Sequence, residues 1–116
     1  MKNVMNLVPD AIAATNAKAL KWSRDTMPDN DFSTKVGKYV LNVWQWINDD
    51  DGTEHYSISI RHNDDTIDVQ KFDEKQANLN GVKELFECAK YSFLNIDDVI
   101  DEMTEILKRR NSRSEW

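Results

Sequence analysis

The sequence predicts an α+β domain in which one helix precedes a three-stranded antiparallel meander and two helices follow it, with the helices packed on one sheet face. Apolar residues recur at helical spacing near both ends of the chain and alternate with polar residues in the middle. With 116 residues, 40% of them hydrophobic, the chain can enclose one apolar core and is too short for two. We therefore expect a single domain over residues 1–116, ordered from about 4 to 108, with a flexible tail over 109–116.

A first helix is predicted over about residues 9–24. Pro9 suits the first helical turn, and Asp10 carries negative charge where the helix dipole favours it. Pro28 and the Asp and Asn residues around it end the helix and begin a loop that reaches about residue 35. The apolar positions at helical spacing are Ile12, Ala13, Ala17 and Leu20.

The alternating pattern over residues 36–47 predicts the first strand of the meander. Asp51-Gly52 is typical of a two-residue hairpin turn, and pairing across this turn places Val43 opposite Ile60, Gln45 opposite Ile58 and Ile47 opposite Tyr56. The apolar residues of the two strands then share one face, which we expect to face the helices.

A second tight turn at Asn63-Asp64 leads to a third strand over about residues 65–72. This turn would place Ile60 opposite Ile67 and would keep the same face apolar. A slip of one residue would move Asp68 onto that face, so we expect the register to be firmly determined.

Two helices are predicted after the meander. Asp73 is a suitable cap before a helix over about residues 78–92, whose apolar stripe includes Leu85 and Phe86. Asn95 is expected to cap a last helix. The stripe of this last helix consists of Ile96, Val99, Ile100, Met103, Ile106 and Leu107.

The other face of the predicted sheet is polar and carries Trp44 and Trp46 beside serines of the second strand. Two exposed tryptophans side by side are uncommon on a monomer and are enriched at protein interfaces. Alternatively, the first helix or the loop over 25–35 covers them and forms a second small core. Both possibilities stay open at the level of the sequence.

Negative charge is concentrated in the middle of the chain. Residues 39–107 hold 16 Asp and Glu against 5 Lys and Arg, whereas both flanking segments are net positive and the whole chain is −6. Like charge at this density opposes folding through self-repulsion, so it is either a means of staying in solution or a surface that meets a basic partner.

The densest acids lie on the last predicted helix, where Asp97, Asp101 and Glu105 follow one another at i,i+4 spacing. Each such like-charged pair destabilises a helix by about 0.2–0.5 kcal/mol. These acids form either a solvated helix face or a ridge that imitates a phosphate backbone or meets a basic protein groove. The complete set of candidate partner-binding residues is Asp97, Asp98, Asp101, Glu102, Glu105, the hairpin acids Asp49, Asp50, Asp51, Glu54, Asp64 and Asp65, and the pair Trp44 and Trp46.

The sequence argues against catalysis, cofactors and metals. Cys88 falls on an apolar-sided helix and is expected to be a packing thiol. His55 and His62 are predicted at opposite ends and on opposite faces of one strand, too far apart to share a metal ion. Asp49-x-Asp51-Gly52 fails as a calcium loop because Ile47 and Ile58 would occupy ligand positions. We therefore expect a non-enzyme without cofactor or metal.

A single cysteine and the absence of any long apolar run predict a cytoplasmic protein with no membrane contact, in the host cell cytoplasm if a phage encodes it. The element order is shared with double-stranded-RNA-binding domains, but such domains carry Lys and Arg at the start of the last helix, where this chain has Asp97 and Asp98. Direct binding to nucleic acid is therefore not expected.

In charge and element order the chain resembles small phage- or plasmid-encoded inhibitors of host systems, some anti-CRISPR and anti-restriction proteins among them, that imitate nucleic acid. The resemblance implies a non-catalytic inhibitor whose acidic face blocks a basic, nucleic-acid-binding surface of a partner protein. Two alternatives stay open. One is an immunity protein that neutralises a basic toxin nuclease, and the other is a structural or assembly protein, for example a homodimer, that self-associates through Trp44, Trp46 and Phe72.

Overall fold

The computed structural model describes residues 1–24 and 30–112 and is an α+β fold built on a five-stranded antiparallel sheet. The strands lie in the sheet in chain order. The α+β class is confirmed, but the prediction of three strands and three helices was wrong. The elements in chain order are a 3-10 helix (Val4–Leu7), α1 (Val8–Asn16), β1 (Ser23–Arg24), β2 (Asp31–Val36), β3 (Tyr39–Ile47), β4 (Glu54–His62), β5 (Asp65–Asp73), α2 (Glu74–Asn80), α3 (Val82–Leu94) and α4 (Ile96–Ser112).

One apolar core lies between a single face of the sheet and the helices α1, α2 and α3. The ring of Phe86 on α3 packs edge-on against Phe32 of β2 and Tyr56 of β4, with ring centroids 5.6 Å apart in each case. Leu85, Phe86 and Ala89 are all buried. The apolar stripe predicted for this helix therefore forms the centre of the core.

The first helix ends at Asn16 and not near residue 24. Lys18 adopts a left-handed backbone with φ 60°, which reverses the chain. The buried Trp22 then anchors the return, because its Nε1 donates a hydrogen bond to Thr15 Oγ1 at 3.0 Å. Residues 23–24 are consequently an edge strand. Of the predicted loop over 25–35, residues 31–35 belong to β2 and residues 25–29 lie outside the described part of the chain.

The faces of β3 and β4 were predicted correctly, but their pairing is shifted by two residues. Val43 faces Ile58 and not Ile60. The cause is a four-residue loop over residues 49–52 in place of a two-residue turn, closed by a hydrogen bond from the Asn48 N–H to the Thr53 carbonyl at 2.9 Å. A shift by an even number of residues keeps every side chain on its face.

The register of β5 does slip by one residue, contrary to expectation. Ile60 lies opposite Asp68, while Arg61 lies opposite Thr66, so Ile67 is an extra, bulged residue. Asp68 therefore points to the helix side, where its Oδ2 accepts a hydrogen bond from the Val4 N–H at 2.8 Å. This hydrogen bond satisfies the first turn of the 3-10 helix and makes the carboxylate acceptable at that position.

The slip also moves Phe72 to the core side, opposite Tyr56, and exposes Ile67 and Val69. The expected self-association surface of Trp44, Trp46 and Phe72 is therefore not formed, because Phe72 lies on the other face of the sheet.

The predicted helix over 78–92 is two helices. Asp73 is a cap as predicted, and its Oδ1 accepts from the Gln76 N–H at 2.8 Å, so α2 already begins at Glu74. Gly81 separates α2 from α3 with φ 86°. A Cβ at this position would lie 3.1 Å from Val8 Cγ1, so the glycine serves both the left-handed turn and the close approach of α1.

The last helix, α4, continues to Ser112, so residues 109–112 of the predicted flexible tail are helical, and residues 113–116 lie outside the described chain. The expectation that every helix packs on the sheet is wrong for α4, where each residue from 97 to 111 is exposed. Within residues 1–24 and 30–112, no helix is long and apolar enough to cross a membrane.

We predict that Asp68→Ala lowers the free energy of unfolding by about 0.5–2 kcal/mol, because the Val4 N–H loses its acceptor. Asp68→Asn should recover most of this loss, since the amide oxygen still accepts. Urea denaturation measures the free energy of unfolding of both variants, and Asp65→Ala is an exposed control in the same strand. An Asp68→Ala chain as stable as wild type would contradict the capping role.

Candidate functional site

Helix α4 stands apart from the rest of the molecule. Its 17 residues extend about 25 Å. The molecule measures 65 × 38 × 26 Å and has a radius of gyration of 17.6 Å, against roughly 13 Å for a compact domain of similar size. The elongation indicates that α4 projects from the body.

One side of α4 is apolar. At about 100° per residue, its apolar side chains fall within an arc of roughly 120°. They are between 38% and 55% exposed. Complete burial of one such side chain contributes about 1.5–3 kcal/mol, so burial of the area that is still exposed in this group would contribute roughly 4–8 kcal/mol more. We call this set the apolar stripe; it consists of Val99, Ile100, Met103, Ile106 and Leu107.

The opposite side of α4 is acidic. Asp98, Asp101 and Glu105 lie nearly opposite the centre of the apolar stripe, and Asp97 and Glu102 flank them on either side. In the described part of the chain, no basic side chain forms an ion pair with Asp98, Asp101, Glu102 or Glu105. We call these five residues the acidic stripe. The acids that the sequence placed on one helix are therefore together, exposed and not interleaved with Lys or Arg.

The junction before α4 sets its direction. Asn95 ends α3 in the left-handed conformation, with φ 56°. One residue later α4 begins, and the Tyr91 hydroxyl donates a hydrogen bond to Asp97 Oδ1 at 2.7 Å. This hydrogen bond raises the pKa of Tyr91 above its usual value, because the phenol proton is shared with a carboxylate. One member of the acidic stripe thus also fixes the base of the helix.

The hairpin acids do not form one continuous surface. Asp49, Asp50 and Asp51 lie in the β3–β4 loop, and Asp64 and Asp65 lie at the β4–β5 turn. Strand β4 separates these groups by its nine residues, about 27 Å. The two groups therefore occupy opposite ends of the sheet.

Several of these acids have local structural roles. Thr53 donates to Asp51 Oδ1 from its hydroxyl at 2.6 Å and from its N–H at 3.0 Å. These hydrogen bonds, chiefly that of the hydroxyl, hold the pKa of Asp51 below its usual value. Glu54 accepts from the Tyr56 hydroxyl at 3.2 Å. Such contacts stabilise the β3–β4 hairpin and need no partner.

Trp44 and Trp46 lie on the sheet face that the helices leave open, and both are partly buried. Trp46 donates from Nε1 to Ser57 Oγ at 3.0 Å and stacks on His55 with ring centroids 4.4 Å apart. The first helix does not cover them, since the buried residues of α1 belong to the core on the other face. Trp46 is thus held by residues of β4, and residues 25–29 of the loop that was the other expected cover lie outside the described part of the chain.

The open face also holds basic residues that the sequence analysis did not single out together. A cavity of about 600 Å³ beside β1 and β2 is lined by Lys21, Lys35 and Arg61, and none of its described lining residues is acidic. The hydroxyl of Thr34 donates to the Lys21 carbonyl at 2.8 Å, which holds Lys21 beside β2. This arrangement would favour an anionic group. Sequence reasoning missed it because Lys35 and Lys21 meet only once β1 and β2 are recognised.

The two histidines are not brought together. His55 and His62 lie at opposite ends of β4 and contact different aromatic rings, Trp46 and Tyr39. Within the described residues, no three His, Cys, Asp or Glu side chains are placed to hold a metal ion.

Comparison with known proteins adds no relationship: no family model, curated protein or solved structure matches the chain.

We predict that Cys88 reacts slowly with iodoacetamide at pH 7, because burial and the nearby Glu84 and Glu87 raise the pKa of its thiol above the usual value for cysteine. The rate should increase only in alkaline solution, where the thiolate forms. Mass spectrometry of the alkylated chain measures this rate. Fast modification at neutral pH would indicate an activated thiol and contradict the assignment of Cys88 as a packing residue.

Proposed function

We propose that the chain is a non-catalytic binding protein whose acidic stripe occupies a basic surface of a partner protein. The observation that carries this proposal is the acidic stripe itself: five carboxylates on one side of a helix that projects from the body, with four of them in no ion pair within residues 1–24 and 30–112. Such a surface attracts a cationic partner over long range and repels nucleic acid.

The spacing of the charges favours a groove that ordinarily binds nucleic acid. From Asp97 to Glu105, five charges extend over about 12 Å of helix axis, or about one per 3 Å. One strand of duplex DNA presents about one charge per 3.4 Å. A row of Lys and Arg that matches a phosphate backbone can therefore match α4. Occupation of that groove would make the chain an inhibitor of the partner.

The hairpin acids are not required by this proposal, because they lie at the ends of the sheet and have roles within the hairpins. An immunity protein that neutralises a basic nuclease would use the same acidic stripe by the same physics. The identity of the partner separates the two functions.

The test is capture followed by competition. Immobilised chain is exposed to a lysate, captured proteins are identified by mass spectrometry, and the nucleic-acid affinity of each purified partner is measured with and without the chain. We expect a basic partner that loses its nucleic-acid binding, in a complex that weakens steeply as salt increases.

We predict that the triple variant Asp98→Lys, Asp101→Lys, Glu105→Lys abolishes this binding, because it places three cations against a basic groove. The matched control, Asp49→Lys, Asp50→Lys, Asp64→Lys, makes the same change in net charge at exposed positions in the two hairpin turns. Isothermal titration calorimetry compares the two. If both variants lost affinity for the partner equally, net charge alone would explain the binding. If the α4 variant kept its affinity, the proposal would be overturned.

A further inference from the structure

We infer that the apolar stripe of α4 pairs with the same stripe of a second copy of this chain, with the two helices antiparallel. The inference goes beyond the proposed function, because it uses the opposite side of α4 and leaves Asp98, Asp101 and Glu105 facing outward.

The first argument is that the body of the molecule does not bury the apolar stripe of α4. Isolated helices of fewer than about 12–15 residues are marginal in water, α4 is only slightly longer, and most helices in proteins are stabilised by packing of their apolar face. The i,i+4 acids of α4 repel one another. Yet its apolar stripe is about half exposed along its whole length. A second helix laid along the stripe supplies the missing contact.

The second argument is the spacing of the stripe. Ile96, Val99, Met103 and Ile106 follow one another at steps of three, four and three residues, which is the pattern of a seam between two helices, and Ile100 and Leu107 lie beside this seam. Met103 lies in the middle of the apolar stripe, which extends from Val99 to Leu107. A two-fold axis at this residue therefore lets the stripe cover itself, as an isologous dimer requires.

The third argument is charge, and it selects both the partner and the direction. The first half of α4 is acidic, and Arg109 and Arg110 lie in its last turn. An antiparallel pair places the acidic first turn of each helix, with Asp97 and Asp98, level with the basic last turn of the other, whereas a parallel pair places acid beside acid. Each helix carries both the acidic end and the basic end. A second copy of the chain therefore supplies the complementary charges, and no other partner is needed.

A specific contact follows from this geometry. Glu102 and Arg109 lie seven residues apart on the same flank of α4, beside the apolar stripe. With the two-fold axis at Met103, Glu102 of one copy and Arg109 of the other lie on the same flank about 7.5 Å apart along the helix axis, a separation that two long side chains can bridge, and the axis repeats this contact once.

Sedimentation equilibrium tests the pairing. We expect the full chain to dimerise reversibly at concentrations up to roughly 100 µM. Ile100→Ala with Met103→Ala should raise the dimer dissociation constant about thirtyfold or more, since both residues lie at the centre of the seam. The matched control, Asp101→Ala with Glu105→Ala, alters the outer side of the same helix and should change the constant little. Tryptophan fluorescence in urea verifies that the body of each variant is folded.

A charge exchange tests the direction. Glu102→Arg and Arg109→Glu should each weaken the dimer, and the two changes in one chain should restore it, because only an antiparallel pair brings these residues together. Failure of the double variant to recover would overturn the antiparallel arrangement.

A wild-type chain that is monomeric at roughly 100 µM would overturn the pairing itself. This result is independent of the proposed function, since the variant with Ile100→Ala and Met103→Ala keeps every acid of the acidic stripe and should still bind the basic partner while it no longer dimerises. A monomeric wild type that binds the basic partner would contradict this inference alone.

Discussion

The constraint on which the molecule depends is the left-handed turn at Asn95. This single residue ends α3 at the edge of the core and directs α4 away from it, and the hydrogen bond between Tyr91 and Asp97 holds the new direction. Asparagine is among the few residues that tolerate this conformation at small energetic cost. Had the chain continued in another direction, the apolar stripe could have joined the core. Because it does not, α4 offers one apolar and one acidic side to other molecules.

The net charge of −6 conceals two separate surfaces of opposite charge. The acidic stripe lies on the projecting helix, whereas Lys21, Lys35 and Arg61 gather at a cavity on the open sheet face. The two surfaces belong to different elements and have opposite sign. Self-pairing through the apolar stripe would leave both of them exposed on each copy, so that the dimer would present two outward acidic stripes to a basic target.

The sequence predicted which face each residue of β3 and β4 occupies, because the two-residue alternation fixes the face. It did not predict the pairing, because Asp51-Gly52 suits a four-residue loop as well as a two-residue turn. The slip at Asp68 was unpredictable for a different reason: it depends on a hydrogen bond from Val4, which is 64 residues away. Trp22 similarly anchors the segment that returns after the first helix, through a contact with Thr15 that local propensity does not reveal.

The acidic stripe of the candidate site was predictable in full, since i,i+4 spacing places acids on one side of any helix. The separation of helix α4 from the core was not predictable. The apolar stripe of α4 has the same pattern as the buried stripe of α3, with Leu85, Phe86 and Ala89, so the sequence alone assigns both helices to the core. Only the backbone at Asn95 distinguishes them. The basic cavity was missed because it combines residues from strands that the turn signals did not predict.

Small-angle X-ray scattering of the Met103→Asp variant at low concentration tests the central claim most directly, because this variant lacks the centre of the proposed seam. A free helix α4 predicts a radius of gyration near 17.6 Å and a longest dimension near 65 Å. A radius near 13 Å, the value for a compact domain of about this size, would mean that α4 packs on its own body, and would contradict the account.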